Sequence, residues 1–210
     1  MVGKAPHLHV HDNSHRRDEV FAAPDENVGD FAFNATVAAV FEDMVSRSVS
    51  YYGEIQRMVC ELASDFAEAD TNLYDIGCST ATTLSGLDAM VDPAVRFVGI
   101  DNAPDMIEKA KEKIVQVNSN RAIDLRGGDL HHGIEIHNAS VVLMLLTLQF
   151  VRSIYDGHNE RDALLLVEKL TSEDATLNEH YCDYKRRNGF SEIEIARKRE
   201  ALDNVSFRTV

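Results

Sequence analysis

Basic residues are in short supply. Lys and Arg number 21 against 35 Asp and Glu, which leaves a formal net charge of −14. Nonspecific nucleic-acid binding and anionic membrane surfaces both draw on clustered cations, so the bulk charge argues against either as a direct partner. It still allows a local basic pocket for a small anion. Cysteine is also scarce, with Cys60, Cys78 and Cys182 only. An odd count at those spacings fits no zinc pattern, so no metal site is expected. Few cysteines and no apolar leader lead us to expect a reducing, cytoplasmic compartment. The longest uninterrupted apolar run covers residues 141–146. A membrane span needs about 18 such residues, whereas a short run suits a buried strand. Also missing is the G-x-G-x-x-G turn with which a pyrophosphate cofactor is cradled.

What is present fits a globular chain: 210 residues, 44% hydrophobic, enough for one domain with a sizeable core. Residues 1–30 lack periodicity and carry His7, His9, His11, His15, Arg16 and Arg17. They read as a flexible arm, because no later carboxylate or cysteine pattern completes a metal site with the alternating histidines. Residues 31–210 read as a single domain. Helical spacing begins after Asn34, a suitable N-cap. Val37, Val40, Phe41, Met44 and Val45 form one apolar stripe, and Ile55, Met58, Val59, Leu62 and Phe66 form a second. Both stripes are expected to be core, with a polar break at residues 47–52 between them.

The texture then changes to alternating strands and helices. Strands are expected at residues 72–76, 95–100, 122–126, 140–146 and 164–168. Pro104 opens a helix continued by Ile107, Ala110, Ile114 and Val117. Such alternation predicts an α/β fold, a mostly parallel, doubly wound Rossmann-like sheet with N-terminal helices before it. Ligands of these sheets sit beyond the carboxyl ends of the strands, where the strand order reverses. The polar residues fall there: Asp75 and Gly77-Cys78-Ser79 after strand one, Asp101 and Asn102 after strand two, Asp129 after strand three.

An acidic residue at the end of strand two can accept hydrogen bonds from both ribose hydroxyls, and Asp101 stands at the usual distance from Gly77. Asp101 can equally cap the following helix. One glycine followed by Cys78, Ser79, Thr80, Ala81 and Thr82 is poor for NAD or FAD but suffices for S-adenosylmethionine, which has no phosphate. Asp129 is placed to meet the adenine amino group, and Asp75 the cationic methionine end. A nucleophilic Cys78 would need a base; His131 and His132 read as surface loop residues, and Cys78 as a backbone contributor.

More specific signatures surround this pattern. Asp-Phe-Ala-Phe (30–33), Val40-Phe-Glu-Asp-Met44, Arg47-Ser-Val49, Tyr74-Asp-Ile-Gly-Cys-Ser79, Gly99-Ile-Asp-Asn102, Asn138-Ala-Ser140, Thr147-Leu-Gln-Phe150, Arg187-Asn-Gly-Phe-Ser-Glu192 and Lys198-Arg199 together resemble the carboxy-S-adenosylmethionine synthases, class I S-adenosylmethionine-dependent enzymes formerly called tRNA (uridine-5-oxyacetic acid) methyltransferases. The resemblance runs from about residue 18 to 205. It implies an enzyme that converts S-adenosylmethionine and prephenate to carboxy-S-adenosylmethionine and phenylpyruvate. A homodimer is implied, with the product handed to a methyltransferase that modifies the tRNA wobble uridine. By the same resemblance Tyr52, Gly77, Cys78, Ser79, Asp101, Asn102, Asp129 and Leu130 line the cofactor site, and Arg199 grips the new carboxylate through a charge-assisted fork.

The chain departs from the family in three places. The family's Asn before Thr-Leu-Gln-Phe is replaced within Leu143-Met-Leu-Leu146, so that contact does not carry over. Residues 151–163 are short for a crossover and lack the family's Asn-Pro-Gly-Gly-like turn. The last sheet strands of the family do not follow Arg199. Two other readings stay open: an ordinary methyltransferase acting on tRNA or a small molecule, and a non-catalytic binding module.

Overall fold

The computed structural model describes residues 17–22, 31–117, 119–148, 163–168 and 175–205. Helices α1 (Ala35–Ser48) and α2 (Tyr52–Phe66) precede β1 (Asn72–Ile76), α3 (Thr82–Leu87), β2 (Arg96–Asp101), α4 (Pro104–Val117), β3 (Ile123–Gly127), β4 (Ala139–Leu145), β5 (Ala163–Val167), α5 (Ala175–Arg187) and α6 (Glu192–Val205). The strands form one parallel sheet in the order β3-β2-β1-β4-β5. Expected and observed strands differ by a residue at their ends, and β1 coincides. The expected short crossover at residues 151–163 lies outside the described residues except for Ala163, which begins β5.

Successive side chains of a strand point to opposite faces, and each face of the sheet has its own core. Leu73, Phe97, Val141 and Leu143 pack with Val59, Cys60 and Ala63 of α2, Leu84 and Leu87 of α3 and Ala110 of α4. On the other face Tyr74, Ile76, Val98, Ile100, Val142 and Met144 meet Leu130, Ile134 and Ile136, from the segment after β3. Asp75 is thus on the α2–α3 side of β1.

Asn34 caps α1 as expected, its side chain accepting from the Thr36 and Val37 amides. The α1 stripe is core: Val37, Val40 and Met44 pack against Ala103 and Met106 at the start of α4. The second stripe is not. Val59 is buried, but Met58, Leu62 and Phe66 are 53%, 45% and 49% exposed. The helix is rotated so that Val59, Cys60 and Ala63 face the sheet. Small residues there let α2 approach α3, where Cys60 Sγ lies 3.8 Å from the Thr83 carbonyl oxygen.

The basic tips are equally misleading in the sequence. Arg47, in the expected polar break, donates to the Asn188 and Asp18 carbonyls and to Asp43, and it stacks on Phe190 at 4.0 Å. Lys198 of α6 is buried and donates to Asp18 Oδ2 at 3.2 Å and Ser48 Oγ at 2.9 Å. Asp18 was expected within a flexible arm, yet it is 2% exposed. Residues 17–22 are therefore docked on the α1–α6 seam; residues 1–16 and 23–30 lie outside the described ones.

Arg121, before β3, does similar work on the opposite side. Its guanidinium donates to the backbone carbonyls of Asp88, Val91, Asp92 and Val95 and to Asp88 Oδ1, and lies 4.2 Å from the Phe97 ring centroid. It closes the α3–β2 connection from below. Arg121→Ala leaves these buried acceptors without a donor, and we expect a loss of roughly 3–5 kcal/mol in unfolding free energy. Urea titration of both proteins measures it. A loss under about 1 kcal/mol would show that water replaces the guanidinium.

Candidate nucleoside site

The site grows from the turn after β1, at the point where the sheet order reverses from β2 to β4. Gly77 adopts φ 76°, and the amides of Gly77 and Cys78 both donate to the Ile100 carbonyl at 2.8 and 3.0 Å. That pulls the turn onto the end of β2. A Cβ on Gly77 would lie 2.2 Å from Thr147 Oγ1, so only glycine fits between this turn and the end of β4. Ser79 and Ala81 also adopt left-handed φ, 52° and 58°, an uncommon conformation for side-chain-bearing residues that cost energy to hold.

Asp101 holds the strained turn. Its Oδ2 accepts from the Ser79 amide at 2.9 Å and its Oδ1 from the Ala103 amide at 2.9 Å. The expected ribose acceptor thus also fixes the backbone just before α4. The two roles are compatible, because an ionised carboxylate has about four acceptor sites. Burial raises the Asp101 carboxyl above its usual value, against the lowering by the Ala103, Ser79 and Asn102 amides. The Asp101 carbonyl accepts from the Gly128 amide at 3.0 Å, which brings the turn carrying Asp129 alongside. Asp129 Oδ2 lies 3.1 Å from His132 Nδ1 in a one-turn 3-10 helix, and Leu130 packs on the sheet.

Asp75 is 2% exposed, and its Oδ2 has no hydrogen-bond partner among the described residues. Burial, followed by repulsion from Asp101, pushes its carboxyl up to about 7. Tyr52 opens α2 after Tyr51, which takes a left-handed φ of 58°. Burial is the main cause that raises its phenol to about 12; Glu42 and Asp75 add to the rise. Its hydroxyl accepts from Gln56 Nε2 at 3.0 Å. Cys78 is buried, and burial with the nearby Asp75 and Asp101 raises its thiol strongly. A thiol so held is protonated at neutral pH, which fits the backbone role expected of it and not a nucleophile.

The fold thus gathers Gly77, Cys78, Ser79, Asp101, Asn102 and the Asp129-Leu130 turn at one edge of the sheet, with Tyr52 coupled to Asp75 beside them. Arg199 is not part of this cluster. It is exposed on α6, and its Nη2 lies 2.9 Å from Cys182 Sγ. Its neighbour Lys198 ties that helix to Ser48, four residues before Tyr52. Sequence reading missed Gln56 and Thr147. The only signal for Gln56 is its position one turn after Tyr52, and Thr147 was quoted as a motif without a role.

A bare glycine cradle, a two-oxygen acidic clamp and an unpartnered buried carboxylate suit a cationic nucleoside without phosphates. Known proteins agree. A methyltransferase domain model matches residues 74–166. A putative S-adenosylmethionine-dependent methyltransferase from Methanococcus maripaludis shares the fold, with a TM-score of 0.55 and 19% identity over 87% of this chain and 88% of that one. This is the class I S-adenosylmethionine-dependent fold. The chain is also 45% identical to the carboxy-S-adenosyl-L-methionine synthase of Methylococcus capsulatus, over 90% of its own length and 84% of that protein's. It is 40% identical to the synthase of Glaesserella parasuis, over 89% and 83%. The chain belongs to the carboxy-S-adenosyl-L-methionine synthase family, enzymes that use S-adenosylmethionine. Among the described residues no helix is long and apolar enough to cross a membrane.

The raised Asp75 carboxyl makes stability depend on pH. Its folded value, about 7, lies above the ordinary 3.8. The folded protein therefore binds the proton more tightly, and stability falls as pH rises from about 4 to about 7. Asp75→Asn removes this titration. The wild type should lose melting temperature relative to the mutant across that window, read by thermal scans of ligand-free protein. Parallel curves would show that Asp75 is ionised throughout.

Proposed function

We propose that the protein converts S-adenosylmethionine and prephenate to carboxy-S-adenosylmethionine and phenylpyruvate. The balance requires prephenate to lose its ring carboxyl to the methyl carbon, while its hydroxyl and one methyl proton leave as water. Bound S-adenosylmethionine supplies the sulfonium-activated carbon. In this reading Asp101 accepts from the ribose hydroxyls with its remaining lone pairs, and Gly77, Cys78 and Ser79 offer a close backbone edge. Asp129 and Leu130 meet the adenine, Asn102 lines the ribose side, and Tyr52 and Asp75 stand at the methionine end. Arg199 is assigned to the new carboxylate. The protein acts as a cytoplasmic homodimer and hands its product to a methyltransferase that completes the wobble uridine; its net charge of −14 fits a chain that does not itself grip RNA.

The observation that carries this reading is the identity to named synthases over nine-tenths of the chain. A second reading, an ordinary methyltransferase, is favoured by one feature: the Arg199 guanidinium rests on Cys182 and not at the turn.

Mass spectrometry of a reaction holding the purified protein, S-adenosylmethionine and prephenate separates the two. Carboxy-S-adenosylmethionine and phenylpyruvate should form in equal amounts, and their absence would sink the proposal. Asp101→Ala should weaken both cofactors by tenfold or more, since hydrogen bonds to charged groups are worth about 1.5–3 kcal/mol. Arg199→Ala should weaken only the carboxylated one. Equal losses would leave the carboxylate without its proposed partner.

A further inference from the structure

Two buried side-chain acceptors near the nucleoside turn have no hydrogen-bond partner among the described residues: Asp75 Oδ2 and Gln56 Oε1. Buried polar groups are nearly always paired, so two such atoms in one place call for an explanation. They do share a place. Tyr52, Gln56 and Cys60 stand at i, i+4 and i+8 and form one stripe of α2. Cys60 packs with Leu73, and Asp75 stands two residues further along the same face of β1, so the stripe lies over the Asp75 side of the strand. In keeping with this, the Asp75 charge adds to the rise of the Tyr52 phenol and the Cys60 thiol. Gln56 lies between them. Its amide is oriented by donation to the Tyr52 hydroxyl, which leaves the carbonyl oxygen as the open group.

Gln56 Oε1 is an acceptor, and Asp75 Oδ2 is one once its carboxyl ionises, so the partner that satisfies both is a donor. Nearby Lys113 is not that donor: its ammonium is engaged by Glu42 and by Thr82 Oγ1. With Glu42 paired to Lys113, Asp75 and Asp101 leave the surroundings acidic, and so favour a positive donor over a neutral one. A sulfonium centre has no hydrogen and cannot satisfy an acceptor. The α-ammonium of a methionine tail has three, enough for both atoms.

We propose that Gln56 is a specificity-determining residue, its carbonyl oxygen forming with the Asp75 carboxylate an acceptor pair for the α-ammonium of the sulfonium nucleoside's amino-acid tail. The inference rests on the reading of the β1 turn as the nucleoside site. The pair selects ligands that carry a free amino group on the tail, and it does so in either carboxylation state of the cofactor.

Two neutral thioethers test this without turnover. S-Adenosylhomocysteine carries the amino-acid tail; 5′-methylthioadenosine has the same nucleoside and no tail. Calorimetric titration of both ligands into wild type, Gln56→Leu, Gln56→Glu and Asp101→Ala separates the roles. Gln56→Leu should weaken S-adenosylhomocysteine by roughly tenfold or more, the scale of a hydrogen bond to a charged group, and change methylthioadenosine less than twofold. Gln56→Glu keeps an acceptor and should restore most of the lost affinity. Asp101→Ala should weaken both ligands. Equal losses for both ligands in Gln56→Leu, no loss for either, or no rescue by Gln56→Glu would overturn the proposal. Wild type that binds neither thioether would overturn the nucleoside-site reading itself.

Discussion

The Asp101 clamp is the constraint on which the rest of the site depends. One carboxylate holds the Ser79 amide with one oxygen and the Ala103 amide with the other. It thereby joins the turn after β1 to the start of α4. That bridge holds the left-handed Ser79 against its strain, while the Ala81 amide is held by the Cys78 carbonyl at 2.7 Å and the Gly77 amide by the Ile100 carbonyl. The Asp101 carbonyl anchors the Gly128 amide, so three connections converge on one residue. A ligand bound there meets a surface already held in place, which limits the ordering it must impose.

That clamp sits in a sheet whose order makes the crevice. Between β2 and β4 the connections leave β1 in opposite directions, and the turn after β1 lies in the gap this opens. Gly77 fits there because Thr147, from the end of β4, already fills the place a side chain would take. Packing of β4 against β1 and the bare backbone edge are therefore one feature. The apolar run 143–146 bears on it directly: Leu146 takes a left-handed φ of 56° just before Thr147, a kink that carries the chain across the turn.

Elements with a strong period were legible in the sequence, and so were residues whose role is set by backbone position. The strands, the α1 stripe with its Asn34 cap, Gly77 and Asp101 all belong to that class. What was illegible depended on long-range charge pairing. Asp18, Arg47, Lys198 and Arg121 look like solvated charges, yet Asp18, Lys198 and Arg121 are buried and Arg47 half-buried, each with partners from distant segments; Lys198 and Asp18 are 180 positions apart. The α2 stripe failed for a different reason. Its large apolar residues and its small ones lie on neighbouring faces, and close approach to α3 favours the face with Cys60 and Ala63. Hydrophobicity alone points to the wrong face there.

Charge also bears on how such a site could treat a carboxylated cofactor. Asp75, Asp101 and Glu42 make the inner site acidic, which suits a sulfonium and an ammonium and opposes an added carboxylate. An enzyme that holds the carboxylated product must therefore bring a cation to it from another element. On α1 and α6 themselves, three cations stand at their seam: Arg47, Lys198 and Arg199. Arg47 is fixed by Asp43, Asp18 and Asn188, and Lys198 by Asp18 and Ser48. Both belong to the scaffold, since moving Lys198 would strand the buried Asp18 carboxylate and moving Arg47 would leave the Asn188 and Asp18 carbonyls without their donor. Arg199 differs in that its recorded contact is the Cys182 thiol, a weak acceptor that a carboxylate easily outcompetes for a guanidinium. Of the three cations, Arg199 can turn to a ligand at least cost to the fold. On this argument the Lys198–Asp18 pair sets where α6 lies, and so where the neighbouring guanidinium can reach.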